Sequence, residues 1–370
     1  MAQMLESETQ KVIRTFNLEL IATVFSLFII GMFTLYSATE GPHLQSLCKA
    51  QFARFAVGLV LGGLLIFVDS QILYRFSYLF YAFCIVLLLL VLIVGQTGGG
   101  SQRWLGFGPI RVQPSELAKI AVIFALARYF SDDKFEPPYT LKRLLIPAAI
   151  IAPSALLILV QPDLGTAGVL VLGAGSLILF LGLRWKSILI VALIAIVTVP
   201  LTYAYVLKDY QRQRVKTFLD PASDPRGSGY NAIQAKIAVG SGRVFGKGYR
   251  KGTQSRLNFI PEQHTDFIFS VLAEERGFVG AVILLVLYFL YCMFALRTVA
   301  RARDKFEMLL AFGVTAVLFW HVFINLGMVT GLLPIVGVTL PFLSYGGTSI
   351  LTFLLITGLI LNISRKRYIF

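Results

Sequence analysis

Four ionisable side chains stand at the ends of apolar runs, where a charge is costly. Glu116 and Lys119 lie three residues apart at the start of the run 115–130; Asp163 precedes the run 164–182, and Asp266 precedes a run that begins at Phe267. A charge at membrane depth costs roughly 2.5 kcal/mol or more, and such residues are retained for a function or for a partner. The spacing of three puts Glu116 and Lys119 on one helix face, within reach of each other. A single carboxylate suffices as general base toward an attacking hydroxyl, and lysine or arginine can stabilise an anionic leaving group. Each residue also has a plainer reading. Glu116 and Lys119 make a structural ion pair, Asp163 behind Pro162 makes a helix N-cap, and Asp266 caps the helix after it. Glu274 and Glu275 next to Arg276 fit an internal ion pair as well as chemistry, and His264 fits either an orienting group for Asp266 or a surface residue.

The elements that must carry these residues are membrane spans. The 370 residues are 57% hydrophobic and 14% charged, with mean hydropathy +0.77, far from the composition of a soluble domain. Ten apolar runs, 18–38, 52–68, 76–94, 115–130, 144–160, 164–182, 188–207, 267–295, 308–330 and 348–363, have lengths suited to crossing a hydrocarbon core of about 30 Å. Each must be helical, because lipid leaves no partner for an open sheet edge. The fold class predicted is an all-α polytopic membrane protein, a single domain over 1–370. With the N-terminus inside, short inner segments collect sixteen Lys or Arg, including Lys11, Arg14, Lys366 and Arg367 near the ends. Short outer segments collect four: Lys49, Arg54, Arg103 and Arg111. That bias puts both termini in the cytoplasm and all four candidate charges at the outer ends of their helices.

The stretch 208–266 is the long exception, with eleven Lys or Arg against five Asp or Glu, and it faces outward. Its aromatics and apolar anchors predict order, and Tyr230, Ile233 and Ile237 opposite Gln234 and Lys236 predict a short helix lying on the membrane surface. The net charge of +14 is dispersed among apolar runs rather than gathered in a soluble module, which argues against a nucleic-acid partner. Three cysteines, Cys48, Cys84 and Cys292, fit inert packing, and the histidines His43, His264 and His321 are too far apart for ligand spacing. Gly98-Gly99-Gly100 and Gly227-Ser228-Gly229 lack the Lys and Ser/Thr of a nucleotide loop. A basic outer loop beside lipid suits an anionic, lipid-linked substrate. Glycosyl transfer from a polyprenyl diphosphate matches these parts, because the diphosphate needs cationic stabilisation more than a second catalytic carboxylate.

Longer motifs carry a resemblance. Tyr210-Gln211-Arg212-Gln213-Arg214-Val215, Asp220-Pro221, Gly229-Tyr230, Gly240-Ser241-Gly242, Gly246-Lys247-Gly248, Gly252-Thr253-Gln254 and His264-Thr265-Asp266-Phe267-Ile268-Phe269 closely resemble the outer loop of the SEDS proteins (shape, elongation, division and sporulation). Gln102-Arg103-Trp104, Gln113-Pro114-Ser115-Glu116, Gln161-Pro162-Asp163-Leu164-Gly165-Thr166 and Ser344-Tyr345-Gly346-Gly347 extend the likeness over nearly the whole chain, closer to the elongation branch than to the division branch. The resemblance implies a peptidoglycan glycosyltransferase of the bacterial inner membrane. Such an enzyme polymerises lipid II onto a nascent glycan strand on the outer face, beside a class B penicillin-binding protein. It implies Asp266 as general base for the acceptor sugar's 4-hydroxyl, with Glu116, Lys119 and Asp163 as essential partners. Lys119, Arg103, Arg212, Arg214 and Lys247 are the residues expected to contact the diphosphate. No organic cofactor is implied; a divalent cation, Mg2+ or Mn2+, is, with Asp163 or Glu116 helping to position it. A flippase for the same lipid-linked disaccharide and a scaffold that regulates a partner transpeptidase remain the alternatives.

Overall fold

The computed structural model describes residues 17–39, 42–98, 101–107, 110–201, 205, 209–221, 224, 227–256 and 263–365. Both chain ends predicted to be cytoplasmic, and Gly99 and Gly100, lie outside these residues. Seven helices come first: α1 (Leu18–Ala38), α2 (Pro42–Leu65), α3 (Ser70–Val94), α4 (Pro114–Asp132), α5 (Leu145–Val160), α6 (Leu164–Leu181) and α7 (Trp185–Leu201). The long basic stretch holds α8 (Asp209–Leu219), α9 (Ser228–Ser241) and α10 (Thr253–Arg256), and α11 (Ile268–Val299), α12 (Lys305–Thr330) and α13 (Gly347–Arg365) complete the chain. Among the described residues, eight helices are long and apolar enough to cross a bilayer: α1, α2, α3, α5, α6, α11, α12 and α13.

The other two predicted runs are helical too, but differ in character. Helix α7 has 17 residues. Helix α4 carries Glu116, Lys119, Arg128 and Asp132, and it is enclosed by α3, α5, α6 and α12 rather than by lipid. That enclosure is what makes its charges tolerable, since protein groups replace the solvent that lipid cannot supply. Close helix approach elsewhere relies on small residues: at the α2–α13 crossing a Cβ on Gly62 would come within 2.7 Å of Leu354 O.

Between α3 and α4 the chain forms a sheet that hydropathy does not foretell. Strands β1 (Gln96–Gly98), β2 (Ser101–Phe107) and β3 (Ile110–Val112) pair antiparallel in that order, with Thr97 opposite Gln102 and Gly106 opposite Arg111. The sheet carries Arg103 and Arg111 on an otherwise all-α framework.

Helix α9 lies where Tyr230, Ile233 and Ile237 predicted one, but its inner side is different. Ala235 and Ala238 are fully buried, with the helix packed on α11 and α12, while Ile233 and Ile237 are exposed. Alanine permits the close approach, and the bulkier residues are left on the outer side.

Helix α11 is broken at Gly277 (φ 65°, ψ −159°), a region of backbone space reserved for glycine. The break frees the carbonyls of Glu274 and Glu275 and the N–H groups of Phe278 and Val279, which would otherwise bond to each other. The segment after α9 takes them all. Lys247 N donates to Glu274 O (3.0 Å) and Gly248 N to Glu275 O (3.0 Å), while Phe278 N donates to Arg243 O (2.8 Å) and Val279 N to Val244 O (3.1 Å). The segment after α9 is thereby spliced into a helix break, and the stretch from Asp266 to Arg276 is held at both ends. A Cβ at Gly277 would fall 2.6 Å from Val244 O. Gly277→Ala is therefore expected to destabilise the protein by about 1–3 kcal/mol and to expose residues 243–256 to protease. Thermal unfolding and limited proteolysis in detergent check both.

Candidate active site

Helices α4, α6 and α13 begin at the edge of one cavity of ≈ 800 Å³, lined among others by Glu116, Asp163, Asp266, Arg54, Arg103, Arg111 and Arg214. Helix N-termini carry partial positive charge and free N–H groups, so three of them facing one space, with four arginines, make a site for an anion. The elements are tied to each other by side chains. Gln113, the N-cap of α4, receives Pro114 at the first helical position; its N–H donates to Thr348 Oγ1 of α13 (2.9 Å) and its Nε2 donates to Asp163 Oδ2 (3.1 Å).

Asp163 is both the cap and a cavity residue. Its Oδ1 accepts from Thr166 N (3.2 Å) and its Oδ2 from Thr166 Oγ1 (2.9 Å), closing the first turn of α6. Arg103 reaches over from β2, with Nη1 3.7 Å from Asp163 Oδ1, Nε donating to Gln161 O at 3.2 Å, and a further bond to Pro162 O. The guanidinium thus fixes the entry to α6 and keeps a positive charge beside the carboxylate.

Asp266 does not cap α11. Phe267 occupies that position without a side-chain bond, and Asp266 sits in the preceding turn, on the cavity. The turn is pinned from α12 and from the segment after it: Asn325 Nδ2 of α12 donates to Asp266 O (2.9 Å) and Val338 O (2.6 Å), Ser344 Oγ to Thr265 O (2.6 Å), and Tyr345 N to His264 O (2.9 Å). Gly337 (φ +73°) leaves room, since a Cβ there would lie 3.2 Å from Asp266 Oδ2. Asn325, fully buried on α12, thus works inward, toward the turn. The His264 ring rests near Tyr345, with centroids 6.0 Å apart, and does not line the cavity.

Glu116 and Lys119 form the ion pair their spacing predicts, with Nζ 2.8 Å from Oε1. Lys119 also bonds His321 Nε2. Glu116 and His321 line the cavity, whereas the Lys119 side chain is 0% exposed and lies behind them. This corrects the expected direct contact between Lys119 and a diphosphate: the ammonium supports the lining residues and is not itself among them.

Two further expectations part company with the geometry. Lys247 is drawn away from the cavity by Glu274, whose Oε1 accepts from Lys247 Nζ (2.7 Å), Thr253 N (2.7 Å) and Gln254 N (3.1 Å). The lysine therefore anchors the splice. Glu274 pairs with it rather than with Arg276, and Glu275 bonds Arg250 N (3.0 Å) and the Ser37 hydroxyl. Arg214 of α8 lines the cavity, but Arg212, two residues away on the same helix, does not. Arg54, Arg111, Gln113, Thr166, His321 and Tyr345 also line the site, beyond the residues that the sequence points to for it. Arg54 stacks over the Tyr345 ring, 4.9 Å from its centroid. The motifs containing Gln113, Thr166 and Tyr345 were the available signal for those three.

Residues 15–369 match the model of the FtsW/RodA/SpoVE family, described as cell cycle protein. The chain belongs to that family. Among FtsW/RodA/SpoVE relatives, the peptidoglycan glycosyltransferase MrdB of Escherichia coli (strain K12) is 42% identical over 345 residues, covering 93% of this chain and 92% of that protein. Stage V sporulation protein E of Bacillus subtilis (strain 168) is 36% identical over 95% of this chain and 98% of its own. Among solved structures, a chain from a peptidoglycan synthase complex that coordinates polymerization and crosslinking superposes with a TM-score of 0.83 at 33% identity, covering 96% of this chain and 99% of that one. The rod shape determining protein RodA of Thermus thermophilus gives a TM-score of 0.72 at 30% identity, covering 95% and 98%. The family fold read from the motifs is therefore the fold observed.

Proposed function

We infer that this chain is a peptidoglycan glycosyltransferase that joins lipid II disaccharide units into glycan strands for cell elongation. The observation that carries this reading is the convergence of Asp266, Asp163 and Glu116 with Arg54, Arg103, Arg111 and Arg214 on one cavity beneath the long basic loop. In the reaction, the acceptor's 4-hydroxyl attacks the anomeric carbon of the donor sugar. Its proton passes to Asp266, and the bond from that carbon to the diphosphate breaks, with both bonding electrons leaving on the diphosphate. The arginines and the three helix N-termini stabilise the leaving charge, and Arg103 also keeps Asp163 and the start of α6 in register.

The family resemblance implies a divalent cation as well. Among the described residues there is no group of three or more His, Cys, Asp or Glu able to hold one. Glu116 Oε2, buried without a hydrogen-bond partner on a cavity residue, fits the one-carboxylate-plus-phosphates mode typical of Mg2+. Glu116 would hold such an ion, whose contribution is to neutralise diphosphate charge.

Ten spans with both ends in the cytoplasm, the cavity facing outward, and a class B penicillin-binding protein alongside complete the reading; the lipid-linked donor would enter from the membrane. A flippase would need its charges along a path between the two faces, whereas these gather at helix ends in one cavity. Detergent-solubilised protein separates the two, since without a bilayer no transport can be scored. Lipid II consumed with release of polyprenyl diphosphate supports the enzyme, and lipid II left unchanged there but translocated in vesicles supports the transporter. Arg103→Met removes two charge-assisted bonds to the α6 entry and is expected to lower kcat/KM about 10- to 100-fold, read from initial rates at varied lipid II.

A further inference from the structure

His321 is buried on α12 at the cavity wall and makes three directed contacts. Its Nδ1 lies 3.2 Å from Thr339 O, its Nε2 meets Lys119 Nζ, and the Phe353 ring stands edge-on at 86° with centroids 4.9 Å apart. A carbonyl only accepts, so Nδ1 carries the hydrogen; an ammonium only donates, so Nε2 is bare. The neutral ring with its proton on Nδ1 satisfies both, whereas an imidazolium would set N–H against N–H. Lys119 accordingly divides its hydrogens between Glu116 Oε1 at 2.8 Å and His321. Glu116 Oε2 is buried with no hydrogen-bond partner, an arrangement that calls for a ligand or a function. Without an acceptor at position 321, the ammonium would turn to take both carboxylate oxygens.

We propose that His321 is a positioning residue for glycosyl transfer: by drawing the Lys119 ammonium to its own Nε2, it keeps one oxygen of Glu116 available to the cavity. The proposal rests on the function inferred above and names a residue that motif and spacing left aside.

Glycan formation from lipid II by the full chain, with its transpeptidase partner, is measured for His321→Leu, His321→Gln and each combined with Glu116→Gln. His321→Leu is expected to lower kcat about 10²-fold with KM moving less than about threefold. Glutamine, whose Oε1 can accept from Lys119, recovers most of that loss, and leucine costs little more once Glu116 is already glutamine. A loss that glutamine does not recover, or one that multiplies with Glu116→Gln, overturns the proposal. A second readout needs no activity. The chain has three histidines, so 15N-histidine labelling with the His321→Gln variant identifies the signals of His321. At neutral pH its Nδ1 should be protonated and its Nε2 bare, with the Nε2 signal displaced in Lys119→Met. A protonated Nε2, or one indifferent to Lys119→Met, overturns the proposal by itself; a parent that makes no glycan overturns the glycosyltransferase reading instead.

Discussion

Asp266→Asn is expected to cut lipid II polymerisation by about 10²- to 10⁴-fold, the contribution of a positioned general base, while leaving the fold intact. The substitution is nearly isosteric, and the turn that holds residue 266 is pinned through backbone atoms: Asn325 donates to the carbonyl of Asp266, and Ser344 and Tyr345 bond the carbonyls of its two predecessors. An amide keeps the shape and polarity of the site but cannot accept the acceptor's proton at neutral pH. The loss should therefore appear in kcat, with binding of lipid II and of the partner preserved. Asp266→Ala should be no worse than Asp266→Asn in rate, because what matters is the lost base. Rates from purified protein, with unfolding temperature beside them, check the split; an Asn variant that polymerises like the parent removes Asp266 from the mechanism.

Lys119→Met is the substitution expected to cost most in stability. The Lys119 ammonium is enclosed between Glu116 and His321, and removing one partner of a buried pair leaves an uncompensated charge, at about 3–5 kcal/mol. Activity should disappear with it, since Glu116 would lose the cation that holds its carboxylate at the cavity. The double variant Lys119→Met with Glu116→Gln removes the stranded charge and should regain a large part of the stability without regaining activity. Unfolding temperatures of the two single variants and the double in one detergent decide this. If Lys119→Met unfolds like the parent, the buried pair is not the source of order that the geometry indicates.

The helices were readable in the sequence because an apolar run in lipid has essentially one way to satisfy its backbone. Asp163 was readable too, as a cap behind Pro162, and the structure closes that cap on Thr166 at 3.2 and 2.9 Å. The break in α11 was not readable. Gly277 sits in a run that reads as continuous helix, and the groups that make the break possible come from residues 243–248, distant along the chain. Lys247 departs from the anion site for a related reason: basic character in a loop says nothing about which carboxylate a lysine will meet, and Glu274 Oε1 meets it at 2.7 Å. The strands at 96–98 and 110–112 are three residues each, too short for a period of two to register. His321 was visible only as an isolated histidine, and its meaning depends on Lys119, about two hundred positions away.

The splice gives the loop a mechanical part in the site. Glu274 and Glu275 hold it to α11 on the far side of the step that starts at Asp266, so the loop and Asp266 are fixed to one another through residues 268–276. That coupling holds residues 243–254 in place, and it makes Lys247 better placed as an anchor than as a phosphate ligand.

The decisive measurement is gel separation of the products formed from purified lipid II by the detergent-solubilised parent and by Asp266→Asn, each with the partner transpeptidase present. A ladder of glycan strands from the parent, together with released polyprenyl diphosphate and none from the variant, is the result this site predicts. Unconsumed lipid II with the parent, or equal ladders from both proteins, would contradict it.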